Sequence, residues 1–502
     1  MMTAETMNFS KPLSELLIGL VENNVLINVS GVAIDSRLVN EGNLFMAYRG
    51  SVFDGVDYID DAIKAGAVAI LVEKDEELEF ASIPVPVISI ANLRKQAGII
   101  ISRFYDEPSQ QMHLIGVTGT NGKTTVSYMI AQVMHALGKP SALIGTIGNG
   151  PFGRIESDKT TTPDPVKLHS LFARWVNNID AVVMEVSSHA LDQGRVAGTH
   201  FDTAIFTNLS RDHLDYHQSY EEYADAKFQL FKSSGLKNAI INIDDDYGVK
   251  FIKQLPEDLK IIAYSTKEKT LEIENKNIQF VYCKKIDTDE IKTILNFQSP
   301  WGQVTIQTAL LGAFNVDNTL AVFSALCLYG LSAEEVAKAL SEFSGVPGRM
   351  ECFSKQNKPL LIVDYAHTPD ALEKALQTLK PYCTGKLHCV FGCGGDRDTG
   401  KRSEMGCIAK SLADHIVITN DNPRTESEEV IVEHIVEGIK DMSNVTITYD
   451  RSEAITATFL NADVDDIILV AGKGHETTQQ IGTTFYPFSD RELARRLTEG
   501  ET

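Results

Sequence analysis

Short apolar runs rich in β-branched residues recur along the chain, each closed by glycine or polar residues and usually followed by a segment of helix length. In the middle of the chain they are His113 to Thr118, Ala181 to Val186, Ala204 to Thr207 and Ala239 to Ile243; in the last third they are Leu360 to Val363, Leu387 to Phe391, His415 to Thr419 and Ile467 to Val470. This is the pattern of parallel-sheet α/β units. Two such series predict two doubly wound domains. The first part, with runs at Ala33 to Arg37 and Ala67 to Val72, is less regular and predicts a smaller third unit. The expected domains are residues 1–105, 106–346 and 347–502, with the second boundary in the turn-rich Gly345, Pro347 and Gly348. Ligands of open parallel sheets sit beyond the carboxyl ends of the strands, so the residues just after these runs are the candidates for chemistry.

After the run ending at Thr118 come Gly119, Thr120, Asn121, Gly122, Lys123, Thr124 and Thr125, then a helix-like segment from Val126 to Leu137 stopped by Gly138 and Pro140. A glycine-rich turn between strand and helix lets backbone N–H groups face phosphate oxygens; Lys123 reaches the terminal phosphates, and the Thr124 hydroxyl suits Mg2+. The spacing is that of a variant phosphate loop, with five residues rather than four between Gly116 and Gly122. A second stretch, Gly395 to Arg402, has the standard spacing but places Arg402 where a Mg2+-binding hydroxyl belongs, and its two aspartates would repel phosphate. The nucleotide is therefore expected at Lys123.

Glu185 ends an apolar strand at the same sheet edge, and His213 follows the next one, so a hard oxygen donor and an imidazole arrive beside the phosphates. On the helix predicted from Tyr220 to Phe231, Lys227 shares a face with Tyr223, Leu230 and Phe231. The ordinary outcome for such a lysine is a stem along apolar surface and an ammonium in water. A desolvated lysine has a lowered pKa instead, and its neutral amine could capture carbon dioxide as a carbamate.

Composition narrows the partners. The length of 502 residues corresponds to about three domains at roughly 150 residues each, and 43% apolar with 23% charged residues is the balance of a folded globular protein. The net charge of −22 repels polyanions, so no nucleic-acid partner is expected. Seven cysteines without a C-x-x-C pair, and no readable signal peptide or membrane span, point to a reducing cytoplasm.

Gly119 to Thr125, Glu185-Val186-Ser187-Ser188-His189, Asp212-His213, the Tyr223 to Lys227 helix, Gly312-Ala313-Phe314-Asn315 and Asp421-Asn422-Pro423-Arg424 stand in the order in which Mur ligases carry such motifs. The chain resembles that family over nearly its whole length, and most closely its members that add meso-diaminopimelate. The resemblance implies an α/β protein of three domains: a smaller α/β amino-terminal domain binding uridine diphosphate, a central phosphate-loop ATPase domain and a Rossmann-like carboxyl-terminal domain binding the incoming amino acid. It implies that ATP phosphorylates the γ-carboxylate of UDP-N-acetylmuramoyl-L-alanyl-D-glutamate and that the amine of meso-diaminopimelate displaces the phosphate. Thr124 and Glu185 would hold one Mg2+, and His213 with carbamoylated Lys227 would serve a second. Asn315 would lie near adenine, with Arg349 and Asp364 gripping the nucleotide. The nucleotide-sugar substrate would meet Ile34, Ser36, Ser51, Val52, Phe53, Thr160, Thr161, Thr162, Ser187, Gln193 and Arg195. Relatives often carry His-Gln-Ala at Ser51 to Phe53 and Asn at Thr160.

Diaminopimelate ends in a second amino-acid group, whose carboxylate a planar guanidinium grips with two parallel hydrogen bonds. By the resemblance Arg424 reads that carboxylate, within Asp421, Asn422, Pro423 and Arg424, while Arg397, Gly472 and Glu476 supply the other contacts, the glutamate suiting the ammonium. Lysine lacks the distal carboxylate and would leave Arg424 unpartnered. The rivals are a lysine-adding ligase or folylpolyglutamate synthetase, against which the Asp421 to Arg424 segment argues, and a phosphate-loop motor or switch, which would hydrolyse nucleotide without an amino acid. A monomer whose carboxyl-terminal domain closes during turnover is expected.

Overall fold

The structure is a computed structural model that describes residues 9–22, 25–50, 53–74, 83–158, 160–210, 212–274, 276–289, 292–308, 310–343 and 345–500. By mutual packing the chain divides into two units: Met1–Tyr282 with Gln298–Gly302 and Leu320–Val336, and Cys283–Phe297 with Gln303–Thr319 and Ala337–Thr502. No helix among the described residues is long and apolar enough to cross a membrane.

The first unit opens with a four-stranded parallel sheet in sequence order, β1 (Gly31–Ala33), β2 (Asn43–Ala47), β3 (Ala69–Glu73) and β4 (Val87–Ile90). Period-two alternation divides its side chains. Leu44, Met46 and Leu71 face the helix Leu93–Phe104, whereas Phe45, Ala47, Ile70 and Val72 pack with Ile59 and Ala62 on the other side. The strand expected over Ala33 to Arg37 ends at Ala33. The Asp35 carboxylate accepts the Arg37 N–H at 3.0 Å and pairs with its guanidinium at 2.6 Å, which turns Ser36–Leu38 into a 3₁₀ turn.

The larger sheet of this unit holds β5 (His113–Thr118), β6 (Ser141–Gly145), β7 (Gly148–Pro151), β8 (Ala181–Glu185), β9 (Thr203–Phe206), β10 (Asn238–Asn242), β11 (Lys260–Ser265) and β12 (Ile278–Asp289), which pairs with β11 over Ile278–Tyr282. Their order is β12-β11-β10-β9-β5-β8-β6-β7, parallel apart from the antiparallel pair β6 and β7. From β5 the chain travels outward to β6, returns to β8 beside β5 and crosses to β9 on its other flank. The carboxyl end of β5 is therefore a topological switch point, where such sheets open a ligand crevice. The amino-terminal segment packs directly on this layer: Ser102 donates to the Gly198 carbonyl at 3.0 Å, and the His200 N–H to the Ser109 hydroxyl at 3.1 Å.

In the second unit β13 (Glu351–Phe353), β14 (Leu360–Asp364), β15 (Leu387–Phe391), β16 (His415–Ile418), β17 (Val445–Ile447) and β18 (Ile467–Ala471) lie in the order β13-β14-β18-β15-β16-β17, with only β13 antiparallel. Alternate residues again serve opposite cores, Ile362, Cys389, Ile416 and Leu469 on one face and Val363, Val390, Val417 and Val470 on the other. The segments after β14, β18, β15 and β16 consequently emerge at one edge. A hairpin, β19 (Thr478–Ile481) and β20 (Thr484–Pro487), follows β18.

Candidate active site

The loop after β5 is held from the exit of β9. Thr120 N–H donates to the Asn208 carbonyl at 2.8 Å, Asn121 N–H to the Asn208 side chain at 3.0 Å, and the Thr207 hydroxyl to the Asn121 carbonyl at 2.6 Å. Gly122, at φ +88°, turns the chain into the helix Lys123–Ala136 and brings no side chain to cap it. A helix N-terminus approached only by backbone and glycine is suited to anionic oxygens. Lys123 folds back over the loop, its ammonium donating to the carbonyls of Gly119 at 2.8 Å and Thr120 at 2.9 Å.

Glu185, the last residue of β8, is buried, and its carboxylate accepts the Thr124 hydroxyl at 2.8 Å, the Thr146 N–H at 2.7 Å and the Thr146 hydroxyl at 3.1 Å. Thr146 follows β6 and also meets Thr161 at 3.1 Å. A hydroxyl and a carboxylate held together beside a phosphate loop are a hard donor set that fits Mg2+, which commonly takes one or two protein oxygens and draws the rest from water and phosphate. No group of three or more His, Cys, Asp or Glu side chains poised for a metal occurs among the described residues.

Lys227 is only 1% exposed, so the solvent-reaching alternative does not hold. Its amine donates to the Gly119 carbonyl at 2.8 Å and lies 4.2 Å from the centre of the Tyr223 ring. Burial, reinforced by the Lys123 ammonium, pushes it well below the usual lysine range, against the pull of Asp212. Tyr223 reaches the loop as well, its hydroxyl 3.2 Å from that of Thr120. His213 sits at φ +52°, half exposed, its ring 3.3 Å from the Asp212 carboxylate and against the rings of His189 and Tyr223.

The expected substrate residues divide. Thr162 donates to the Glu185 carbonyl at 2.8 Å and accepts the Ser187 N–H at 3.1 Å; Arg195 reaches the Thr162 carbonyl at 3.1 Å and the Gln193 side chain at 2.6 Å. Thr161, Thr162, Ser187, Gln193 and Arg195 thus form one network with Glu185. Thr160 is exposed. Ile34 packs in the amino-terminal core, Ser36 begins the 3₁₀ turn, and Phe53 is exposed and edge-on to Tyr58. Ser51 and Val52 lie outside the described residues.

In the second unit the Arg349 guanidinium stacks on Tyr365 at 4.5 Å. Asp364 accepts the N–H groups of Met350 at 2.7 Å and Ala366 at 2.8 Å, and burial raises its pKa despite Arg349 nearby. Asn315 is buried, its amide donating to the Leu311 carbonyl at 2.8 Å. At the shared edge of β18, β15 and β16, Asn422 donates to Glu476 at 3.0 Å, and Lys473 donates to both, at 3.0 and 2.7 Å. Asp421 is buried, and Gly472 lies so close that a Cβ there would stand 2.6 Å from its carboxylate. Pro423 is buried; Arg424, at φ +53°, donates to the Gly395 carbonyl at 2.7 Å, and Arg397 is exposed beside it. Thr146 and Lys473 are the site neighbours that the motif reading passed over. Thr146 had a signal, since it follows a strand at this edge; Lys473 reads as a surface lysine until its burial is seen.

Three successive family models match the chain: "Mur ligase family, catalytic domain" over residues 28–105, "Mur ligase middle domain" over 117–326 and "Mur ligase, glutamate ligase domain" over 348–474. The chain is 44% identical to the UDP-N-acetylmuramoyl-L-alanyl-D-glutamate--2,6-diaminopimelate ligase of Coxiella burnetii, over 93% of this chain and 95% of that one. It is also 44% identical to the ligase of the same name from Pseudomonas aeruginosa, over 93% and 94%. A solved structure of a ligase of that name superposes with a TM-score of 0.72 at 33% identity, covering 98% of this chain and 99% of the other. With the phosphate loop, the Glu185 network and the buried Lys227 in their family order, and with such likeness from end to end, the chain belongs to the Mur ligase family.

Proposed function

We propose that this protein is an ATP-dependent ligase that adds meso-diaminopimelate to the γ-carboxylate of the D-glutamate in UDP-N-acetylmuramoyl-L-alanyl-D-glutamate, a step of peptidoglycan precursor synthesis. The names of its relatives support this reading. The observation that carries it is the set of charged groups at the shared exit of β15, β16 and β18, where Arg397 and Arg424 meet at Gly394 and Glu476 is held by Asn422 and Lys473. Guanidinium and carboxylate at one sheet edge match a distal group that is itself a zwitterion.

In the proposed reaction the substrate carboxylate attacks the γ-phosphorus of ATP, forming an acyl phosphate and releasing ADP. The amine of diaminopimelate then adds to the acyl carbon, loses a proton, and expels inorganic phosphate as the amide forms. Lys123 and the backbone of Gly119 to Thr125 hold the nucleotide phosphates. Thr124 and Glu185 would hold Mg2+, which when bound supplies neutralisation of phosphate charge. Lys227, as its carbamate, and His213 would form the second cation position. Thr161, Thr162, Ser187, Gln193 and Arg195 orient the nucleotide-sugar substrate, joined by Ile34, Ser36, Ser51, Val52, Phe53 and Thr160. Asn315, Arg349 and Asp364 are the further residues we assign to binding of the nucleotide. The proposed setting is the cytoplasm, with the protein a monomer and divided as residues 1–105, 106–346 and 347–502.

The test is phosphate release with ATP, Mg2+ and UDP-N-acetylmuramoyl-L-alanyl-D-glutamate, with meso-diaminopimelate or L-lysine added and the product identified by mass. Release and tripeptide formation with diaminopimelate alone are expected. Preference for lysine overturns the specificity, and release indifferent to both amino acids overturns the ligase reading.

A further inference from the structure

Two residues of the diaminopimelate region other than glycine stand in the left-handed backbone region: Asp396 at φ +53°, beside Arg397, and Arg424, also at φ +53°. Such conformations cost roughly 1–3 kcal/mol each and persist where surrounding contacts over-determine them. Here the contacts run between the two loops. Gly395 N–H donates to the Asn422 carbonyl at 2.9 Å, and the Asp396 carboxylate accepts both the N–H (3.1 Å) and hydroxyl (2.9 Å) of Thr425. Beneath them lies Arg402, fully buried, which grips Glu426 with two hydrogen bonds of 2.7 Å. The same guanidinium reaches the Gly394 carbonyl at 3.1 Å and His434 at 3.0 Å, while Glu426 also accepts the Asp396 N–H at 3.0 Å. One ion pair thereby ties the loop after β15 to the loop after β16. Gly394 completes the arrangement: a Cβ there would stand 2.8 Å from the Arg424 guanidinium and 3.7 Å from the Arg397 stem.

We propose that the Arg402–Glu426 pair and Gly394 are positioning residues for amino-acid selection, holding Arg397 and Arg424 so that they present one carboxylate-binding face. This rests on the reading of Arg397 and Arg424 as diaminopimelate contacts. It also gives the phosphate-loop-like stretch Gly395 to Arg402 a role: its arginine, standing where a hydroxyl would serve Mg2+, faces inward to brace recognition of the amino acid.

The test compares wild type with Arg402→Lys, Glu426→Gln and Gly394→Ala, measuring KM for meso-diaminopimelate, KM for ATP, turnover of L-lysine and the melting temperature. Lysine keeps the charge but loses the fork, and glutamine keeps the shape but loses the charge. The expected result is KM for diaminopimelate raised about tenfold or more, selectivity over lysine reduced, and KM for ATP unchanged within about twofold, since small misplacements of a binding group cost that much or more. Should the two pair variants unfold, Gly394→Ala decides, because it perturbs Arg424 without removing the pair. A selective wild type with an unaltered Gly394→Ala variant overturns this inference alone. A wild type that prefers lysine overturns the functional reading beneath it.

Discussion

Protonating the Lys227 amine would bury an ammonium close to that of Lys123, a cost that the Gly119 carbonyl, the Tyr223 ring and the Asp212 carboxylate offset only in part. Burial thus shifts the balance toward the neutral amine, the state in which it attacks carbon dioxide. Methionine, of similar volume and without a charge to desolvate, should be tolerated there. Lys227→Met is expected to melt within a few degrees of wild type yet lose about a hundredfold or more in kcat, and a carbamate carbon signal, expected for wild type in labelled bicarbonate, should be absent from its 13C NMR spectrum. A variant with full activity sinks the assigned role. Glu185→Gln keeps the shape that accepts the Thr124 hydroxyl but removes the charge; kcat should fall by about two to three orders of magnitude, with a higher Mg2+ concentration needed for half-maximal rate in a titration. Residue types and spacing named Lys123, Thr124 and Glu185. Helical spacing also put Lys227 on the apolar face, but its depth came from packing: the carbonyl that accepts its hydrogen bond lies in a loop 108 residues away.

The helix Pro165–Trp175 shows how an element conceals a titratable group. Asp164 caps it, accepting the N–H groups of Val166 at 2.9 Å and Lys167 at 3.0 Å, and the helix then buries His169 completely against Phe172, with one ring nitrogen 3.2 Å from the Ala197 carbonyl. Burial lowers the His169 pKa from its ordinary 6.5 to about 4. A depressed folded-state value means that the unfolded chain takes up the proton first as pH falls. The contribution is thus whole above pH 6.5, declines between about 6.5 and 4, and is level below that, a loss of up to about 3 kcal/mol. Urea midpoints measured across this range should fall less steeply for His169→Gln than for wild type; parallel curves would show that His169 does not carry the dependence. At this scale four strands of each large sheet were legible because they are largely apolar, whereas Ser141–Gly145, Lys260–Ser265, Ile278–Asp289 and Val445–Ile447 were not read. Ala33 to Arg37 was misread because the local Asp35–Arg37 bonds outweigh the extended preference of the residues before them.

Both tryptophans of the chain, Trp175 and Trp301, fall in the unit that holds the phosphate loop. Their fluorescence consequently reports that unit, whereas calorimetry reports the whole molecule. Diaminopimelate alone, at a hundred times its Kd, should stabilise the second unit by about 2.7 kcal/mol. The expected record is a calorimetric transition that moves up and a fluorescence transition that stays. A fluorescence midpoint raised by diaminopimelate would place its site in the first unit instead. The net charge of −22 opposes the approach of polyanions.

By itself the sequence determined the α/β class, the strand exits at which chemistry would be found, the phosphate loop, and the motif order that marks the family, since these depend on local periodicity, glycine placement and side-chain chemistry. Only the tertiary structure decided what each group faces. It buried Lys227 on the Gly119 carbonyl, brought Thr146 to Glu185, set Lys473 beside Asn422, and turned Arg402 inward to Glu426. The physical reason is common to all four: the environment of a charged side chain is made by residues distant along the chain, and spacing within one segment carries no record of them.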